Sequence, residues 1–144
     1  MKTAVFPAWL AIGLSAFFLQ SCCKGYCSDE TIFAMDFEGF APAEMDKIKI
    51  VAFNAAIAVD SYYVSTNNII KKDTTRVYPD KPLRSDYNFE IILENAGLNY
   101  RLTAINTKKE DCNCGSGTYK TITGYSLNGL EYTSPEINPL VIRK

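Results

Sequence analysis

Apolar and polar residues alternate along several segments of the chain. In each segment apolar residues recur at every second position, and many of the positions between them are charged, as with Lys47, Lys49 and Glu90. The apolar positions that share one side are Phe33, Met35 and Phe37, then Ile48 and Ile50, then Tyr87, Phe89, Ile91 and Leu93, and finally Leu98, Tyr100, Leu102 and Ala104. A period of two is typical of a strand with one face on a core and the other in water. The pattern therefore predicts half-buried antiparallel strands.

Turn signals separate these segments. Asn95-Ala96-Gly97 joins the two clearest strands and suits a three-residue hairpin loop that ends on a left-handed glycine. Asn128-Gly129 is typical of a two-residue hairpin loop. Pro79 and Pro82 indicate a loop or a sheet edge, because proline cannot donate to a strand ladder. The last five residues, LVIRK at 140–144, are predicted to form a terminal strand.

The strand pattern predicts one all-β domain over residues 31–144. In NAAIAVDSYYVST, Ala55–Ala58 could form a helical turn, whereas Ser61–Val64 is predicted as strand. About seven to eight short strands at spacings near ten residues favour an antiparallel β-sandwich of immunoglobulin-like or transthyretin-like architecture. A small β-barrel is the alternative.

The N-terminus has the pattern of a secretion signal over residues 1–21. Lys2 is followed by an apolar stretch at residues 4–19, which is shorter than the roughly 20 residues that a spanning helix needs. Pro7 and Gly13 also weaken a long helix. We therefore expect a cleaved signal peptide rather than an uncleaved membrane anchor.

The sequence Leu19-Gln20-Ser21-Cys22 resembles the lipobox of bacterial lipoproteins. The resemblance implies cleavage after Ser21, diacylglycerol on the sulfur of Cys22 and acylation of the new amine. Two or more acyl chains anchor a protein stably, whereas one holds it only marginally. Residues 22–30 would then be a lipidated tether to the bacterial cell envelope. Because Cys23 stands where an aspartate retains some lipoproteins at the inner membrane, the same resemblance favours the outer membrane.

The other four cysteines are candidates for disulfides. Cys23, Cys27, Cys112 and Cys114 are an even number of thiols in a compartment that oxidises them, and they allow three pairings. Our hypothesis is that at least one bridge joins residues 22–30 to the 112–114 loop. The alternatives are local bridges or a thiolate metal site, but these spacings are not those of structural zinc and the chain contains no histidine.

The composition argues against catalysis and nucleic-acid binding. Histidine, the commonest general base, does not occur. The carboxylate pairs Asp36/Glu38 and Glu90/Glu94 alternate with core positions, as solvated strand faces do. With 15 basic residues, 16 acidic residues and no basic patch, no nucleic-acid partner is indicated. We expect no catalytic residue, no metal and no cofactor. A carboxylate-dependent hydrolase is the weakest of the functional alternatives.

Tyrosines are the candidate binding residues. Tyr62, Tyr63, Tyr78 and Tyr119 lie near predicted turns or on uncertain faces, where exposed rings would stack on sugars or dock a protein. The alternative is that they form the core and its rim. Function is expected in the loops at 78–86 and 108–118. The sequence thus predicts a non-catalytic binding or assembly module with an envelope protein or glycan as partner. The main alternative is a carbohydrate- or peptide-binding surface lipoprotein.

Overall fold

A computed structural model describes residues 31–111, 118–133 and 139–144. These ranges contain twelve strands and two short 3₁₀ helices, at Pro42–Met45 and Thr66–Asn68. Eight of the strands have four or more residues. The strands are β1 (Thr31–Ile32), β2 (Met35–Glu38), β3 (Ile48–Asn54), β4 (Ile57–Tyr63), β5 (Ile69–Ile70), β6 (Thr75–Val77), β7 (Leu83–Arg84), β8 (Asn88–Leu93), β9 (Leu98–Asp111), β10 (Thr118–Leu127), β11 (Leu130–Thr133) and β12 (Leu140–Arg143).

The strands form an all-β sandwich. An antiparallel sheet has the order β11-β10-β9-β8-β3-β4, a second sheet has the order β12-β2-β6-β5, and β1 pairs with β7. The sheets are not closed into a barrel, so the barrel alternative is wrong. One pair departs from the predicted antiparallel pattern, because β12 runs parallel to β2 with Leu140 opposite Met35. A parallel pair needs a long crossover, and here everything from β3 to β11 provides it.

The core lies between the two larger sheets. In the six-stranded sheet Ile50 pairs with Ile91 and Ile48 with Leu93, which confirms the predicted alternation of β3 and β8. The four-stranded sheet contributes Phe37, and the fully buried apolar residues of both sheets are Met35, Phe37, Ile48, Ile50, Val77, Ile91, Leu93, Leu102, Leu140 and Ile142. Burial of alternate side chains from facing sheets is what holds a sandwich together.

Two predicted core positions are wrong. Phe33 is 46% exposed, because the chain leaves β1 after the buried Ile32 and enters another sheet at Met35. Ala104 is exposed, with a φ of 49°. It lies in a bulge, since Thr103 and Asn106 pair with Ser126 and Gly124, so β9 has one extra residue there. A bulge shifts the alternation by one residue, and Ile105 packs against the core in place of Ala104.

The turns follow the sequence signals closely. Asn128 and Gly129 have φ values of 52° and 81° between the paired residues Leu127 and Leu130, as a type I′ hairpin requires. Gly97 has the predicted left-handed conformation, with a φ of 65°. Its loop runs from Glu94 to Gly97, so it has four residues rather than the predicted three. The ambiguous segment forms a β-hairpin instead of a helical turn, with Ala55 at a φ of 52° between β3 and β4.

The first described residue lies at one identifiable end of the six-stranded sheet. Thr31 pairs with Arg84, and the Tyr87 N–H donates to the Arg84 carbonyl at 3.3 Å just before β8 begins. We call this the N-terminal end. β9 and β10 continue beyond the start of β8 at the same end, because the last β8 partner in β9 is Leu102. Residues 108–111 pair with residues 118–121 and form a two-stranded arm that continues beyond the N-terminal end.

Candidate functional site

A pocket of about 480 Å³ opens at the N-terminal end of the sandwich. Its floor is the inner face of the six-stranded sheet and its wall is the segment from Lys81 to Arg84. The lining residues are Ala52, Val59, Asp60, Tyr62, Lys81, Pro82, Arg84, Tyr87 and Phe89. The wall falls within the 78–86 loop, which the sequence had indicated as a place for function.

Aromatic side chains form much of the pocket surface. Tyr87 lies directly before β8 and Phe89 lies within it, and their rings meet edge to face at 6.5 Å. Phe89 is buried, whereas Tyr87 is half-buried and reaches the pocket. Tyr62 on β4 is also half-buried and lies on the inner face, since it pairs with Ile50 of the core. Such surfaces bind apolar or flat groups of a ligand.

Lys81 ties the wall of the pocket to β4. Its ammonium contacts the Asp60 carboxylate at 2.6 Å and lies 5.4 Å from the centre of the Tyr62 ring. The Tyr62 hydroxyl donates to the Lys81 carbonyl at 2.8 Å. The pKa of Tyr62 is raised to about 12, chiefly by burial, and the hydrogen bond from Lys81 lowers the pKa of Asp60. At neutral pH the pocket therefore contains a neutral phenol and an ionised carboxylate with its cation.

Two acidic residues hold the loop in place. The Asp80 carboxylate accepts hydrogen bonds from the Ser65 N–H at 2.8 Å and from the Asn68 side-chain amide at 2.7 Å. The Asp86 carboxylate forms an ion pair with the Arg84 guanidinium at 3.2 Å, which holds Arg84 at the rim of the pocket. The loop is thus fixed at both ends by short-range polar contacts.

A second, shallower depression lies on the outer face of the six-stranded sheet, beside β4. It has a volume of about 580 Å³ and is lined by Lys49, Val51, Ala58, Val59, Asp60 and Ser61. Val59 and Asp60 line both the pocket and this outer depression. Val59 is an extra residue in β4, since Ala58 and Asp60 pair with the consecutive residues Phe53 and Ala52. A bulge at the edge strand therefore separates the two concavities.

The four predicted binding tyrosines do not form one surface. Tyr62 lines the pocket, whereas Tyr63 lies on the outer face, where its hydroxyl donates to Glu94 at 2.6 Å. Tyr78 is 39% exposed just after β6. Tyr119 lies on the arm, and its hydroxyl donates to Glu110 at 3.0 Å. Strand alternation alone puts Tyr62 and Tyr63 on opposite faces, but which of the two faces the core follows from the pairing of β4 with β3.

The paired carboxylates are in structural contacts. Asp36 accepts two hydrogen bonds of 2.7 Å from Arg76, and Glu38 binds Arg143 at 2.8 Å. Glu94 forms an ion pair with Lys47, and the partners of Glu94 lower its pKa. Glu90 accepts from the Asn99 amide at 2.7 Å. These contacts tie neighbouring strands together.

Several predicted features lie outside the described residues. They are the signal peptide at 1–21, the tether at 22–30 with Cys22, Cys23 and Cys27, and the loop with Cys112 and Cys114. Within the part of the chain that the structure covers, no cluster of three or more metal-binding side chains occurs. The same part contains no helix long and apolar enough to cross a membrane.

Comparison of the chain with protein-family models, with curated proteins and with solved structures finds no match.

Sequence reasoning missed most of the residues that line the pocket. Val59, Asp60, Lys81, Arg84 and Tyr87 are far apart in the chain and were not predicted as a group. The available signal was the proline-rich loop YPDKPL, within the segment 78–86 where function was expected. They come together only because β4 and β8 both pair with β3 and the segment before β8 folds over that sheet.

Proposed function

We propose that this chain is a lipid-anchored, non-catalytic binding module of the bacterial cell envelope, with the pocket at the N-terminal end as its ligand site. The observation that carries the proposal is the position of the pocket. It lies beside Arg84, which pairs with Thr31, the residue that follows the tether. The lipobox at Leu19–Cys22 supports the anchor, and the outer membrane is the proposed location.

The short tether keeps the pocket near the membrane surface. Cys22 and Thr31 are nine residues apart, and an extended chain spans at most about 3.3–3.6 Å per residue. The lipidated cysteine is therefore no more than about 30 Å from the N-terminal end. This geometry suits capture of a partner that is itself at the membrane, since both are confined to the same layer.

The chemistry of the pocket favours binding over proton transfer. The pKa of Tyr62 lies far above neutrality and the pKa of Asp60 is lowered, so neither group changes its charge near pH 7. General acid–base catalysis works best with a pKa close to the operating pH. Aromatic rings with a few fixed polar groups are instead typical of recognition sites.

A carbohydrate ligand is the second candidate. Tyr62 and Tyr87 line the pocket together with the Asp60 carboxylate and the Arg84 guanidinium. Aromatic faces pack against sugar rings, and charged groups accept and donate to their hydroxyls. A glycan array distinguishes this candidate from a protein partner.

The proposal is tested by cross-linking in the envelope of the host, followed by pull-down of the tagged full-length chain. Wild type is compared with Tyr87→Ala, which removes an aromatic ring from the pocket lining, and with Tyr119→Ala, a matched loss of a half-buried tyrosine on the arm. We expect a partner that Tyr119→Ala retains and Tyr87→Ala loses, with both variants folded by circular dichroism. Identical captures by wild type and Tyr87→Ala would refute the pocket as the binding site.

A further inference from the structure

β4 is an edge strand with a free side. In the described ranges β4 pairs only with β3, on one side. The Val64 N–H donates to the Ile48 carbonyl at 2.9 Å, and the register continues with Tyr62 opposite Ile50. Backbone groups in an antiparallel pair point alternately toward and away from the partner strand. The N–H and C=O groups of Ser61 and Tyr63 therefore point away from β3, toward the free side, where the Ser61 N–H also interacts with the Asp60 carboxylate.

The free edge is also apolar. Ile57 is 73% exposed, Val59 50% and Tyr63 50%, in a strand of seven residues. Edge strands of this kind bind other strands unless something blocks them. The bulge at Val59 interrupts the ladder, so a regular added strand has the stretch from Asp60 to Tyr63 to pair with.

The two concavities flank that stretch. The aromatic pocket lies on the inner face of β4 and the outer depression on its other face, and both include Val59 and Asp60. Successive side chains of a strand point to opposite faces of a sheet. A strand added to β4 would direct one side chain toward the pocket and the next toward the outer depression, which is how strand-addition sites obtain specificity.

The two concavities differ in charge. In the pocket the Lys81 ammonium is neutralised by Asp60 and the Arg84 guanidinium by Asp86. The outer depression contains the Lys49 ammonium, which lies 5.9 Å from the centre of the Tyr63 ring, and the Asp60 carboxylate, which Lys81 already neutralises. Among the described residues Lys49 forms no direct ion pair, although its charge helps to lower the pKa of Glu94. An acidic side chain complements the outer depression, and an apolar or aromatic one complements the pocket.

We propose that β4 binds an extended segment of a partner protein as an added strand, in which apolar or aromatic side chains alternate with acidic ones. The proposal rests on the proposed function, because it names the partner class of the same site. The segment contributes backbone hydrogen bonds to Ser61 and Tyr63, an apolar side chain to the pocket and a carboxylate to Lys49. A second copy of this chain bound through β4 is the competing occupant.

The test uses an array of synthetic heptapeptides. One set alternates aromatic or aliphatic residues with acidic residues, and a second set has the same compositions arranged in blocks. The full-length protein is compared with Ser61→Pro, which removes an outward N–H at the free edge. Glu131→Pro is the matched control. Glu131 lies on the edge strand β11, opposite Ser126 of β10 and next to the pair Leu127–Leu130 that flanks the hairpin loop. Its N–H therefore also points away from the sheet, at the edge opposite to β4.

We expect wild type and Glu131→Pro to prefer the alternating peptides and Ser61→Pro to bind them at least tenfold more weakly. N-methylation of the peptide backbone should weaken binding similarly. Equal binding of both peptide sets, or by Ser61→Pro and wild type, would overturn the proposal. So would a stable dimer, detected by light scattering, that Ser61→Pro converts to a monomer. If the envelope partner is lost in Tyr87→Ala but kept in Ser61→Pro, strand addition fails while the pocket stands as the binding site.

Discussion

Asp80 holds the pocket loop in place but does not line the pocket, so its substitution tests how the loop is held. Its carboxylate accepts two hydrogen bonds, from the Ser65 N–H at 2.8 Å and from the Asn68 side-chain amide at 2.7 Å. In Asp80→Ala both are lost. Each hydrogen bond contributes about 0.5–1.5 kcal/mol to stability. Because the groups are exposed, water molecules replace part of the lost hydrogen bonding. We expect the free energy of unfolding to fall by about 1–2 kcal/mol.

This change is measured by urea denaturation followed by circular dichroism. With a slope of about 1.5 kcal/mol per molar urea, the midpoint should fall by roughly 1 M. Asp46→Ala is the control, because Asp46 is also an exposed loop carboxylate, but its contact is an ion pair with Lys71, and exposed ion pairs contribute little. If Asp80→Ala and Asp46→Ala unfold at the same urea concentration, the two hydrogen bonds do not hold the loop.

Three further predictions concern the core, a turn and a titrating group. Phe37 is 1% exposed, so Phe37→Ala should lower the free energy of unfolding by about 3–5 kcal/mol in urea denaturation. Gly129 has a φ of 81°, so Gly129→Ala should cost about 1–2 kcal/mol in the same assay, whereas Gly→Ala in an ordinary conformation stabilises. The pKa of Tyr62 is about 12 in the folded state and about 10 in the unfolded one. The folded chain then binds the proton more tightly, so stability is full below pH 10 and falls between pH 10 and 12. Tyr62→Phe should show a smaller fall; an identical pH profile would contradict the assigned burial of the phenol.

The regular parts of the fold were predictable from local pattern. In β8 the buried Phe89, Ile91 and Leu93 alternate with the half-buried Asn88, Glu90 and Ile92, because only one face of a strand is buried beside a single facing sheet. Asn128-Gly129 was equally informative, because few other dipeptides accept two positive φ values in succession. Where sequence and local geometry have one solution, the prediction was confirmed.

The errors occur where non-local pairing decides the geometry. Ala104 continues the period-two pattern of β9, but a bulge rotates it out of the core. Phe33 fits the strand pattern as well, but the chain changes sheets there. Neither event has a local signature, since bulges and sheet changes depend on the register with partner strands.

The candidate site was only partly predictable for the same reason. Tyr62 was expected in a binding surface and lines the pocket, whereas Tyr87 was expected in the core and both packs against the core and lines the pocket. Lys81 and Asp60 are 21 residues apart, and their ion pair exists only because the loop folds back on β4. A sequence can indicate that a loop carries function, but the groups that it meets come from the sheet.

The anchor at Cys22 is tested most directly by mass spectrometry of the protein extracted from the membranes of its host. The N-terminal peptide should begin at Cys22 and carry the mass of a diacylglyceryl group and an amide-linked acyl chain. A peptide that still contains residues of the leader, or one that begins at Cys22 without acyl mass, would contradict a lipid-anchored module and remove the reason for locating the pocket near a membrane.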